Sequence, residues 1–175
     1  MKHTDNSNKK MAFLMIDFET PEFITDLQNR IPESELYFDD ESENDFGLER
    51  ETHVTVAPCL DNDIDLEKLK SLLLPLSEYK TMLTDISLFT NDYDVLKCAA
   101  KSMNLFKSNK DVLSVFPSHS EFKVYQPHVT IGYLKKGMGE KYTKKILDKL
   151  VMLEPKHFTF SYYDKDGNKQ KETWK

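Results

Sequence analysis

The chain has 175 residues, 39% of them hydrophobic, and its 24 Lys and Arg stand against 30 Asp and Glu for a net charge of −6. That acidic balance, with Arg30 and Arg50 the only arginines, excludes a general binder of long nucleic acid, which must neutralise many phosphates with clustered cations. No apolar run approaches the ~18 residues of a membrane span, no signal-peptide core opens the chain, and Cys59 and Cys98 form no C-x-x-C pair. The expectation is therefore a cytoplasmic protein that needs no membrane, disulfide framework or structural zinc.

Residues 1–9 are polar and expected to be disordered, which leaves 10–175 as one domain with enough Phe and Tyr to fill a core. Residues 11–18 (MAFLMIDF) read as a buried strand. Pro21 opens a helix through residue 30, because proline fits the first helical position. Residues 33–50 are acidic and contain Gly47, the pattern of an exposed loop whose carboxylates form a solvated surface. A strand begins at His53 and ends at Pro58. Leu66, Leu69, Leu72, Leu73 and Leu76 recur at helical spacing over 65–76.

Residues 81–89 and 93–99 read as two strands joined by a turn. A helix follows over 102–115, with Leu105, Phe106, Val112 and Leu113 inward. Residues 121–125 suggest a short strand before Pro127, and another strand starts at His128. Tyr142, Ile146, Leu147 and Leu150 predict a third helix over 140–150. The tail reads as a hairpin, 158–163 and 169–174, turning at Asp166-Gly167.

The strands at 53 and 128 carry the same tetrapeptide pattern, His53-Val54-Thr55-Val56 and His128-Val129-Thr130-Ile131. Each alternates polar and apolar residues, so His and Thr share one face and the aliphatic residues the other. Each copy follows a strand and precedes an amphipathic segment, which suggests an internal duplication. The expected fold is α+β and bilobal, with mostly antiparallel sheets related by a pseudo-two-fold axis.

Brought together, the two copies put two imidazoles and two hydroxyls into one cleft. Cleaving a phosphodiester needs one group to take a proton from the nucleophile and another to give one to the leaving oxygen. Histidine does both near neutral pH. Thr55 and Thr130 supply donors for the charge that develops on the phosphate oxygens. A lone His-x-Thr is a weak signal, whereas two in matching halves are hard to assign to chance. His3, His119 and His157 have no such context and read as incidental. No carboxylate–histidine cluster of the kind used by metallophosphodiesterases is apparent, so no metal and no cofactor is expected.

Paired H-x-T-hydrophobic motifs at this separation resemble the signature of the 2H phosphoesterase superfamily. The resemblance implies that fold, with His53 and His128 as acid and base and Thr55 and Thr130 as phosphate binders. Within the superfamily the chain is most similar to the phage anti-CBASS cyclic-nucleotide phosphodiesterases, through Gly47-Leu48-Glu49, the segment from Tyr93 to Lys97, the segment from Gln126 to Tyr133, and the hairpin with Asp166-Gly167. This implies a cyclic di- or trinucleotide substrate in a host cytoplasm, cut at its 3′–5′ linkage.

Unlike the RNA-processing branch, this chain is acidic, and Gly132-Tyr133-Leu134 stands where an arginine-rich segment often follows the second motif. Alternative substrates are 2′,3′-cyclic phosphate RNA ends, 2′,5′-oligoadenylate and ADP-ribose cyclic phosphate. A reading of another class is a protein that sequesters nucleotides without turnover. Bases need stacking surfaces, worth ~1–3 kcal/mol each. Tyr93, Tyr125, Tyr133 and Trp174, with Phe89, are the candidates. Glu172 is a candidate acceptor from a base edge, and Lys135, Lys136 and the loop at 137–139 are candidates to approach phosphates.

Overall fold

A computed structural model describes residues 10–39 and 46–175. The disordered start expected for residues 1–9 lies outside the described residues, as does the middle of the acidic segment. The strands are β1 (Ala12–Phe18), β2 (His53–Leu60), β3 (Thr81–Thr90), β4 (Tyr93–Lys101), β5 (His128–Lys135), β6 (Val151–Leu153), β7 (Pro155–Tyr163) and β8 (Lys169–Trp174). The helices are α1 (Glu22–Asn29), α2 (Leu66–Ser71) and α3 (Met103–Val115).

Two four-stranded antiparallel sheets result, in the orders β2-β1-β7-β8 and β5-β4-β3-β6. The fold is α+β and bilobal, as expected. Alternation explains how each sheet splits its residues. In β1, Ala12, Leu14, Ile16 and Phe18 are buried, while Phe13, Met15 and Asp17 turn to the other side. The two sheets match strand for strand, with β1 and β4 as the central partners of β2 and β5. The motif strands β2 and β5 are edge strands, and they lie against each other where the lobes meet.

The repeated unit differs from expectation. The inner helices form as expected, in β1-α1-β2 and β4-α3-β5, but of the two helices expected after the motif strands only the short α2 after β2 is present. Each inner helix crosses to the opposite lobe: α1 packs on β5 and α3 packs on β2.

Several expected elements changed with their surroundings. The helix over 140–150 is absent: a single 3₁₀ turn, Glu140–Tyr142, is followed by chain that lies along β3, with Ile86 and Lys144 exchanging backbone hydrogen bonds at 2.7 and 2.8 Å. Ile146 and Leu150 are left exposed. Pairing with an open strand satisfies these backbone groups and overrides the helical spacing. The α2 helix stops at Ser71 because Pro75 cannot continue it. Asp65 caps its start by accepting from the Lys68 amide at 3.0 Å. Residues 121–125 form no strand. In α3, Phe106 is exposed while Ser108 and Asn109 are buried.

The acidic segment is not simply a loop. Its two arms run beside β5, where the Tyr37 amide donates to Tyr133 O at 2.9 Å, the Tyr133 amide to Gly47 O at 2.7 Å and the Glu49 amide to Ile131 O at 3.1 Å.

Candidate active site

Val54, Val56, Val129 and Ile131 are fully buried. This anchors both motif strands to the core and turns His53, Thr55, His128 and Thr130 to the opposite side. The two histidines are held alike. His53 Nδ1 lies 2.9 Å from the Glu51 carbonyl, and His128 Nδ1 lies 2.7 Å from the Gln126 carbonyl. A carbonyl accepts only, so each Nδ1 carries the proton and donates. Nε2 is then the acceptor in a neutral ring, as a general base needs, and a donor in a protonated ring, as a general acid needs.

The imidazoles are close enough to influence each other. Burial pulls the His128 pKa below its ordinary value. The Gln126 carbonyl opposes this, and the positive charges of Lys97 and His53 reinforce it. His128 thus favours its neutral form.

Buried amides support the strands from behind. Gln28 Nε2 on α1 donates to the Ile131 carbonyl at 2.9 Å and to the Glu49 carbonyl at 2.6 Å. Asn109 Nδ2 on α3 donates to the Val56 carbonyl at 2.7 Å. Tyr125 reaches between the lobes, its hydroxyl donating to the Thr55 carbonyl at 2.9 Å. Its ring meets Phe106 edge-on at 5.4 Å.

On the second lobe, register puts Lys97 opposite Thr130 and Ala99 opposite His128. Lys97 is 7% exposed. Its ammonium donates to Ser87 Oγ at 2.9 Å and sits 4.3 Å from the centre of the Phe89 ring. That ring meets the His128 imidazole edge-on at 5.0 Å. Burial pulls the Lys97 pKa down, while the charge of Asp85 opposes it.

On the first lobe, Asp17 pairs in register with His53 on one side and His157 on the other. Directly opposed residues share a face, so these three form a row. His157 Nε2 lies 3.3 Å from Asp17 Oδ2, and the Thr159 hydroxyl donates to that same oxygen at 2.5 Å. Lys171 Nζ reaches Glu51 Oε2 at 3.1 Å. That contact is the main reason the Glu51 carboxyl is held below its usual range.

The base-stacking candidates separate. Tyr93 and Tyr133 lie on the motif side of the second sheet and touch at 5.9 Å. Tyr37 stacks on Tyr93 at 4.6 Å, and Phe46 meets both Tyr93 and Tyr133 edge-on at 5.2 Å. Trp174 and Glu172 pair with the buried residues Phe158 and Phe160. They therefore project to the side of the first sheet away from His53 and Thr55. Trp174 stacks on Phe158 at 5.5 Å, with Lys70 above its ring at 5.4 Å. The structure does not bring these two to the histidines.

Lys97, Asp17, His157, Tyr37 and Phe46 escaped the sequence reading. For His157 a signal existed. His157-Phe158-Thr159-Phe160-Ser161 alternates polar and apolar residues, which marks a polar strand face. For Lys97 there was none, because its position depends on the pairing of β4 with β5. Among the described residues, no three His, Cys, Asp or Glu side chains converge on a common metal position.

No protein-family model and no curated protein matches this chain. Its backbone is similar to that of TT0787 of Thermus thermophilus, with a TM-score of 0.59 at 13% identity over 93% of this chain and 95% of that one. It is also similar to Usb1 of Kluyveromyces marxianus, with a TM-score of 0.56 at 11% identity over 94% and 97%. At such identities what this chain shares with both is the fold.

Proposed function

We propose that the chain is a metal-independent phosphodiesterase of the 2H type that opens 3′–5′ linkages in cyclic di- or trinucleotide messengers. In this reading it is a phage-encoded evasion enzyme of the anti-CBASS kind, acting in the host cytoplasm. The observation that carries the catalytic part is the matched presentation of His53 and His128. Both are on adjoining edge strands, both have Nδ1 engaged by a backbone carbonyl two residues upstream, and neither Nε2 has a hydrogen-bond partner among the described residues.

The chemistry follows from that pair. One imidazole takes the proton of the ribose 2′-hydroxyl as its oxygen attacks phosphorus. The other gives a proton to the departing 5′-oxygen. The phosphorus–5′-oxygen bond breaks and a 2′,3′-cyclic phosphate forms. Water then attacks the cyclic ester with the two roles exchanged, leaving a 3′-phosphate. Thr55 and Thr130 donate to the non-bridging oxygens as charge develops there. Tyr93 and Tyr133, backed by Tyr37 and Phe46, offer an aromatic wall for a base. The net charge of −6 suits a short ligand held by few contacts better than a long strand.

Incubating the protein with cyclic di- and trinucleotides, 2′,3′-cyclic nucleotides, 2′,5′-oligoadenylate and ADP-ribose cyclic phosphate, with EDTA present, tests this reading. The expected result is chelator-resistant opening of a cyclic oligonucleotide to a product ending in a 3′-phosphate. Tight binding with the ligand intact after hours would instead identify a sequestering protein.

A further inference from the structure

We propose that Lys97 is a phosphate-binding residue of this site, its buried ammonium taking a non-bridging oxygen of the scissile diester beside His128 and Thr130. The proposal deepens the phosphodiesterase reading and rests on it for the identity of the diester.

A buried charge is costly unless a partner compensates it. Among the described residues, no carboxylate lies within ion-pair distance of the Lys97 ammonium. Its hydrogen bond is to a neutral hydroxyl, Ser87 Oγ at 2.9 Å, and its other close neighbour is the face of Phe89. Asp85 is the carboxylate whose charge acts on it, and that effect is smaller than the opposing effect of burial. An ammonium carries three N–H donors, so donor capacity remains once Ser87 is served. The positive charge is also felt at His128, where it favours the neutral imidazole. A partly buried position holding an ammonium and a hydroxyl, next to an imidazole that exchanges protons during turnover, favours an anion.

The duplication supplies an internal comparison. In the first lobe the residue paired with Thr55 is Met15, whereas in the second lobe the residue paired with Thr130 is Lys97. A lysine needed only to fill the strand face would have no reason to be charged where its counterpart is a thioether. The asymmetry puts the cation on one side of the cleft and biases the phosphate towards the second motif.

The experiment titrates inorganic phosphate into the intact chain and follows the imidazole resonances of His53 and His128 by NMR, in the wild type, Lys97→Met and Lys97→Arg. Turnover of the substrate panel is measured in parallel. Lys97→Met, similar in length and neutral, is expected to weaken phosphate binding about tenfold or more and to lower kcat on a cleaved diester about 10²–10³-fold. The His128 midpoint should also rise. Lys97→Arg restores part of each.

Wild-type phosphate affinity in a folded Lys97→Met variant overturns the proposal, as does a wild type that shows no phosphate-dependent shift. If Lys97→Met fails to fold, Lys97→Gln takes the same measurements, and the same two outcomes overturn the proposal. Lysine-dependent phosphate binding by a wild type that cleaves nothing would keep the anion site and remove the phosphodiesterase reading.

Discussion

Gln28 and Asn109 do the same work from opposite helices. Each is a buried amide that donates to the carbonyl of the last residue in a His-x-Thr-hydrophobic motif, Gln28 to Ile131 at 2.9 Å and Asn109 to Val56 at 2.7 Å. Because each helix belongs to the opposite lobe, the alignment of both motif strands depends on contacts across the pseudo-two-fold axis. Asn109→Leu takes the side-chain donor from the Val56 carbonyl, and Gln28→Leu takes one from the Glu49 carbonyl and one of two from Ile131 O, which keeps the Glu49 amide. Each is expected to cost about 1–3 kcal/mol, read as a lower urea midpoint with an unchanged slope. A midpoint equal to wild type would show that the carbonyls find other donors.

Replacing either motif histidine removes one proton transfer and little packing, since both rings are only partly buried. His53→Ala and His128→Ala should each lower kcat on a cleaved substrate by about 10²–10⁴-fold. Thermal midpoints should stay near wild type. Full turnover in either variant would detach that ring from the chemistry.

The His128 imidazole should titrate below the ordinary histidine value of 6.5, chiefly because its partial burial disfavours the charged ring. The sign of its effect on stability follows. The unfolded chain takes up this proton at the ordinary value, the folded chain only at lower pH, so between the two the unfolded state binds more protons. The contribution of His128 is therefore complete above pH 6.5 and declines as pH falls through that window. NMR titration of the ring gives the folded midpoint directly, and a value at or above 6.5 would contradict the burial described.

Two aromatic substitutions should separate by phenotype. Tyr93 lies on the motif side within a cluster that includes Tyr133, and Tyr93→Ala should raise KM about 5–150-fold if a base stacks there at ~1–3 kcal/mol. Trp174 packs on Phe158 on the far side of the first sheet. Trp174→Ala should leave KM unchanged and reduce stability by about 1–3 kcal/mol, below the fully buried range because the ring is only partly covered. Steady-state kinetics and chemical denaturation on the same two proteins check both outcomes.

The central architecture was legible because two physical signals coincided. Val54, Val56, Val129 and Ile131 alternate with His and Thr, which fixes strand and facing together, and repetition of the pattern implies a paired cleft. What remained hidden depends on partners chosen by tertiary pairing. Tyr142, Ile146, Leu147 and Leu150 have helical spacing, yet the open edge of β3 captured that segment through Ile86 and Lys144. Lys97 reads locally as one more scattered lysine until its register with Thr130 is known. Which side of β8 Trp174 would take could not be told without knowing that it pairs with Phe158.

Thr159 and Asp17 join residues 142 positions apart, and this bears on how the molecule assembles. The strand that closes the free side of β1 is β7, so a nascent chain must carry the first motif unfinished until β7 has emerged. The trio β3, β4 and β5 is one contiguous stretch and can organise earlier. Long-range closure of this kind is slow compared with local pairing. The lobe whose sequence emerges first is thus the later to be sealed.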